Sequence, residues 1–263
     1  MKYHFLDQYR DAESFIHRLD PRSKFLAMLA LVSVIVLTPH DGWLAYGLFL
    51  VFNLTLLFLS RVPFFYMLKR SLAVLPFVFM VAVLLPFCSA GTEVCGANIG
   101  GWHIGITREG LILTAGIFCK VWLAVLPVIL VTATTNVNDL LKGLEKLKMP
   151  AIMVMLMSFM YRYLFVISDE AERLSLARNS RSFGGGVRLH VRTLGYMAGA
   201  LFLRSYERGE QIYGAMLSRG FDGHGRSLNQ LSMRLADVFY LATIMVVALM
   251  IALSPLLLRN LNA

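Results

Sequence analysis

Charge is scarce in this chain: of 263 residues, 16% are Asp, Glu, Lys or Arg and 57% are hydrophobic. That balance, with a mean hydropathy of +0.65, excludes an ordinary soluble domain of this size. Cysteine is nearly missing too. Cys88, Cys95 and Cys119 are too few and too irregularly spaced for a disulfide framework. No Gly-x-x-x-x-Gly-Lys-[Ser/Thr] occurs, so the chain has no recognisable P-loop and any ATP must be hydrolysed elsewhere. His-Glu-x-x-His, Gly-x-Ser-x-Gly and paired zinc-ribbon cysteines are also absent, which leaves an enzyme reading without a motif. Cys88, Cys95 and His103 form a soft-metal set only in principle, since scattered loop residues seldom converge; no metal and no bound cofactor are expected. Acidic residues number 16 against 25 basic ones, a formal charge of +9. On a membrane protein such an excess restates topology, and no nucleic-acid partner is expected.

What the chain does have is long apolar runs: Phe25 to Thr38, Trp43 to Leu59, Leu72 to Cys88, Leu111 to Thr132 and Val238 to Leu258. Each is near the about 20 residues that cross a bilayer as a helix. The expectation is an all-α integral membrane protein with about five transmembrane helices. The first run is short, and snorkelling of Lys24 is one way to accommodate it. Asp20 and Pro21 suit the N-cap and first position of that helix, with Arg22 and Lys24 as interface anchors. Pro39-His40-Asp41-Gly42 reads as a tight connection, and Pro76 and Pro86 imply a bent third span. Ile99, Trp102, Ile104 and Ile106 alternate as in a small extracytoplasmic ribbon.

Basic residues accumulate in cytoplasmic loops. With the N-terminus inside, only Arg108 and Arg259 fall outside, and Lys120 lies within a span. The N-terminal stretch lacks the apolar core of a cleavable signal, so the first span is expected to stay in place. The organisation is then a cytoplasmic amphipathic leader over 1–24, a four-span bundle over 25–134, a cytoplasmic helical module over 135–236, and the last span with an outer C-terminus over 237–263. Lys120 has two readings: a functional intramembrane charge, or a structural one facing protein and pairing with carbonyls.

Within the module, Asn136-Val137-Asn138-Asp139 resembles an N-cap before Leu140, Leu141, Leu144 and Leu147, with Lys142, Lys146 and Lys148 on the other face: a surface helix under the headgroups. A second helix opens at Met149-Pro150. Residues 149–168 are long enough to span, but a span there would carry the basic residues from Arg173 through Arg234 outside and bury Arg162, so the stretch reads as an amphipathic helix on the inner face. Met149, Met153, Met155, Met157 and Met160 give it either an adaptable surface for a partner that reorients or ordinary packing. A third helix runs roughly from His190 to Leu217.

These two long helices end alike. Ser180-Arg181-Ser182-Phe183-Gly184-Gly185 returns as Ser218-Arg219-Gly220-Phe221-Asp222-Gly223, each placing an arginine in a last helical turn before glycine. A matched pair suggests a two-fold partner. A guanidinium offers a planar fork to carboxylates and stays charged; the alternative is that each arginine only complements its own helix dipole.

The order of Ser14-Phe15-Ile16-His17-Arg18-Leu19-Asp20-Pro21-Arg22-Ser23-Lys24, Thr134-Thr135-Asn136, Tyr161-Arg162-Tyr163, Arg204-Ser205-Tyr206-Glu207-Arg208 and Ala215-Met216-Leu217-Ser218-Arg219-Gly220-Phe221 resembles the T components of energy-coupling factor transporters, particularly the CbiQ-like members of cobalt uptake systems. The resemblance implies a non-catalytic scaffold in the bacterial cytoplasmic membrane. Its two coupling helices would dock on two ABC-type ATPase subunits, which hold ATP and Mg, and would meet a separate substrate-binding S component. It implies docking by Arg181 and Arg219 with Ser180, Ser182, Ser218 and Gly220, and contact with the substrate subunit at Met153, Met157 and Met160. The first copy reads Ser-Arg-Ser where the family pattern has glycine, which brings in Arg178 one turn earlier. Cobalt is the substrate expected by resemblance. Nickel or a vitamin stands as the alternative, and a conventional ABC permease or an intramembrane enzyme using Lys120 stands further off.

Overall fold

The computed structural model describes residues 14, 16–39, 42–82, 92–99, 102–181, 186–223 and 233–261. In chain order these form α1 (Pro21–Leu37), α2 (Trp43–Ser60), α3 (Phe64–Leu72), α4 (Leu75–Ala82), the strands β1 (Glu93–Ile99) and β2 (Trp102–Thr107), α5 (Arg108–Thr134), α6 (Val137–Lys146), α7 (Ala151–Arg181), α8 (Val187–Leu217) and α9 (Leu235–Leu261). They fall into two compact units, one built on Leu6–Gly143 with Leu231–Ala263 and the other on Leu144–Gln230. The protein is an all-α integral membrane protein carrying one small antiparallel ribbon.

In the first unit, α1 starts where Asp20 and Pro21 direct it: the Asp20 carboxylate accepts the Arg22 N–H at 2.9 Å and proline occupies the first helical position. Ala27, Leu31 and Ile35 recur at helical spacing on its buried face. They meet Ala45, Tyr46 and Phe49 of α2, Leu123 and Leu130 of α5, and Ile244, Ala248 and Ile251 of α9. The connection from α1 to α2 is tight, with the Gly42 N–H donating to Pro39 O at 3.3 Å; His40 and Asp41 lie outside the described residues. The ribbon pairs Ile99 with Trp102 and Ala97 with Ile104, as the alternation in sequence implies. Thr107 caps α5, accepting the Gly110 N–H at 3.3 Å.

Among the described residues, four helices are long and apolar enough to cross a membrane: α2, α5, α7 and Leu235–Ser254 of α9. Three coincide with expected spans. The third expected run, Leu72 to Cys88, is described only as far as Ala82, where it forms α4. The backbone breaks at Ala73–Val74 between α3 and α4, because the Pro76 ring would clash with the carbonyl four residues back and has no N–H to donate; proline sits instead in the first turn of α4, where no partner is needed. Pro86 lies outside the described residues. The helix α7 continues unbroken through the charged residues from Asp169 to Arg181; its apolar part is long enough to span, as residues 149–168 already read in the sequence, and only 6% of its most apolar window is buried.

Lys24 departs from expectation. It does not snorkel to an interface: it is 2% exposed, and its Nζ donates to His17 O and Thr134 O, both at 3.2 Å. Thr134 ends α5, so its carbonyl lacks an intrahelical partner, and the ammonium supplies one where the helix dipole is negative. Lys120 does the converse. From within α5 it donates 3.1 Å to Val36 O in the last turn of α1. Of its two readings, the described contacts favour the structural one. Lys120→Met should therefore insert, losing about 1 kcal/mol of stability, read as a small drop in melting temperature of the detergent-solubilised protein. Lys120→Glu, which sets a carboxylate against a carbonyl, should fail to accumulate in the membrane.

Candidate functional site

The second unit is dominated by α7 and α8, each 31 residues long. They meet near their midpoints. Arg204 of α8 donates to the Glu170 carboxylate of α7 beside a cleft of about 440 Å³ lined by Tyr163, Ile167, Leu201 and Ile212. The pair is partly exposed, so it fixes register more than it adds stability.

Away from that crossing the helices hide little. No residue of α8 is buried, and Leu194, Phe202, Leu203, Tyr206 and Tyr213 all stand exposed. On α7, Met153, Met157 and Met160 share one face by their spacing and are 50%, 38% and 64% exposed. Leu156 and Leu164 are exposed nearby. Apolar surface on this scale, left uncovered by the described residues, marks an interaction site or lipid contact.

The end of α8 is built residue by residue. Ser218 still belongs to the helical turn, its N–H donating to Gly214 O and its Oγ to Ala215 O at 3.0 Å. Gly220 then takes the left-handed conformation at φ +76°. Its N–H bonds Leu217 O at 3.0 Å and the Phe221 N–H reaches back to Met216 O at 3.1 Å. This is a Schellman closure, and it sets Arg219 on the last turn just ahead of the chain reversal. Arg219 is exposed and its guanidinium has no partner among the described residues.

At the first copy, Arg181 is the final residue of α7, also exposed and also without a guanidinium partner among the described residues. Ser180 Oγ bonds back to Leu176 O at 3.0 Å, keeping the last turn helical. Arg178 is engaged locally, donating to Asn179 Oδ1 from Nε at 3.2 Å and Nη2 at 3.0 Å. Ser182 lies outside the described residues. The arginines of the two copies thus end two separate helices.

Sequence reasoning missed Asp237. It sits third in α9, 2% exposed, with one carboxylate oxygen on the Arg234 N–H at 2.7 Å and the other on the Asp20 N–H at 2.8 Å. The signal available was an acid in the first turn of the last apolar run, which reads only as an ordinary helix-start preference.

Comparison with known proteins agrees with this architecture. The family of cobalt transport proteins, CbiQ, matches residues 12–231. An energy-coupling factor transporter transmembrane protein of Listeria innocua is 28% identical over 94% of this chain and 97% of its own length. Its counterpart in Lactococcus lactis is 29% identical over 96% of this chain and 98% of its own. A fused cobalt transport protein of Methanocorpusculum labreanum is 32% identical over 58% of this chain and 26% of its own length. On a match that spans the greater part of its length, the chain belongs to the CbiQ family, the transmembrane T components of energy-coupling factor transporters.

Proposed function

We propose that this chain is the coupling subunit of an ATP-driven cobalt uptake transporter, with its N-terminus and the 135–236 module on the cytoplasmic side of the membrane. Two ABC-type ATPases hold ATP and Mg and receive Arg181 and Arg219; a separate membrane subunit holds the ion. The observation that carries the reading is the pair of exposed arginines, without guanidinium partners among the described residues, that end two long helices whose apolar faces the described residues leave uncovered. Closure of the ATPase dimer moves the helix ends. The crossing at Glu170 and Arg204 passes that motion to the rest of each helix, and the face bearing Met153, Met157 and Met160 transfers it to the substrate subunit. Cobalt is supported by the family's name and by the fused relative's. The basic residues from Arg173 through Arg234 support keeping α7 at the inner face rather than across the bilayer, since translocating them is strongly disfavoured.

Arg181→Ala combined with Arg219→Ala should leave insertion intact while abolishing uptake and recovery of the ATPases with the membrane complex; normal uptake by that double variant refutes the docking role. Gly220→Val forces a β-branched residue into a left-handed position at about 1–2 kcal/mol. It should unwind the last turn of α8 and weaken ATPase recovery as Arg219→Ala alone does. For topology, a cysteine at Ser180 should react with a membrane-impermeant maleimide in inside-out vesicles and not in intact cells. The reverse pattern would mean that α7 spans.

A further inference from the structure

The stretch Leu144–Gln230 leaves the first unit at Gly143 and rejoins it at Leu231. Both of its flanks run into one buried cluster at the start of α1. On the outgoing side, Thr134 O is held by Lys24 Nζ at 3.2 Å, and Asp139 of α6 is among the carboxylates that act on that ammonium. Four residues on, Gly143 lies so close to α1 that a Cβ placed there would stand 3.3 Å from Pro21 Cβ and 3.5 Å from the Arg22 nitrogen. On the returning side, Asp237 grips Arg234 with one oxygen and Asp20 with the other. Ser23 closes the turn, its Oγ on Asp20 O at 2.8 Å.

This is more than two helix ends need. A surface carboxylate alone would cap α9, and water would serve Thr134. Instead Ser23, Lys24, Thr134 and Asp237 are each no more than 2% exposed. Charge-assisted hydrogen bonds in so dry a setting are strong and directional, so the flanks cannot slacken independently.

We propose that this cluster is the fixed anchor of the coupling module, with Lys24 and Asp237 as positioning residues and Gly143 as the close-approach point that seats α6 on α1. The proposal rests on the coupling role above: a helix pair driven at its arginine ends does work on a membrane partner only if its base does not yield. Breaking the anchor uncouples the cycle without stopping it. ATP is still hydrolysed by the docked ATPases, but the motion is lost in a loose base.

The test uses Asp237→Asn, which removes the charge and one acceptor, and Gly143→Val, which leaves every polar group in place and pushes α6 off Pro21. In the full complex in proteoliposomes, each variant should hold ATP hydrolysis near the wild-type rate while cobalt uptake falls about tenfold, the scale of a typical coupling between sites. In the chain alone in nanodiscs, with native cysteines replaced and spin labels at Thr55→Cys and Glu210→Cys, each should broaden the distance distribution. Uptake that falls in step with hydrolysis, uptake that does not fall, or a distribution as narrow as the wild type's overturns the anchor. So does failure of both variants to insert, which makes the cluster a folding requirement only. If the wild-type chain recovers no ATPase, the docking reading fails by itself, and the spin-label readout, which needs no partner, still decides the anchor.

Discussion

Helix ends inside a membrane carry carbonyls that nothing in lipid will satisfy, and the first unit is arranged around that constraint. Two lysines answer it reciprocally. Lys24, at the start of α1, serves the end of α5 through Thr134 O; Lys120, within α5, serves the end of α1 through Val36 O. The helices therefore run antiparallel with each one's terminus tied to the other's side. Asp237 adds α9 alongside α1, start to start. The apolar cluster of α1, α2, α5 and α9 fills the space these ties define. Lipid is as apolar as leucine and drives little helix association, so packing and a few polar ties must hold the bundle.

The second unit follows a different economy. A helix of 31 residues with none buried cannot owe its stability to its own chain's core. Its order comes from local bonds: the Schellman closure at Gly220, hydroxyls such as Ser205 Oγ on Leu201 O, and the ion pair to α7. Surface left uncovered by the described residues at that cost in stability is surface for a partner or for lipid.

Much of this was legible in the residues. Apolar runs located the helices, Asn136 announced α6 and indeed accepts the Asn138 N–H at 3.3 Å, alternation announced the ribbon, and Gly220 announced a left-handed stop. Local signals of this kind survive folding because they act within a turn or two. What stayed hidden acts over distance. Lys24 looked like an interface anchor because its partner, Thr134, lies 110 residues away; Asp237 drew no notice because Asp20 lies 217 residues away. Lys120 carried two readings until Val36 O appeared beside it. For α7 the ambiguity is physical: an apolar helix face bound for a partner subunit and one bound for lipid have the same composition.

The break at Ala73–Val74 matters beyond the two helices it separates. Helices of 9 and 8 residues stand on either side of it, and both pack on α5. A joint of that kind bends more readily than the continuous helices around it, because the backbone bonds that stiffen a helix lapse there and proline forbids their return. This flank is the compliant wall of the bundle. Elastic strain imposed on the first unit would collect there, leaving the tied trio of α1, α5 and α9 undeformed.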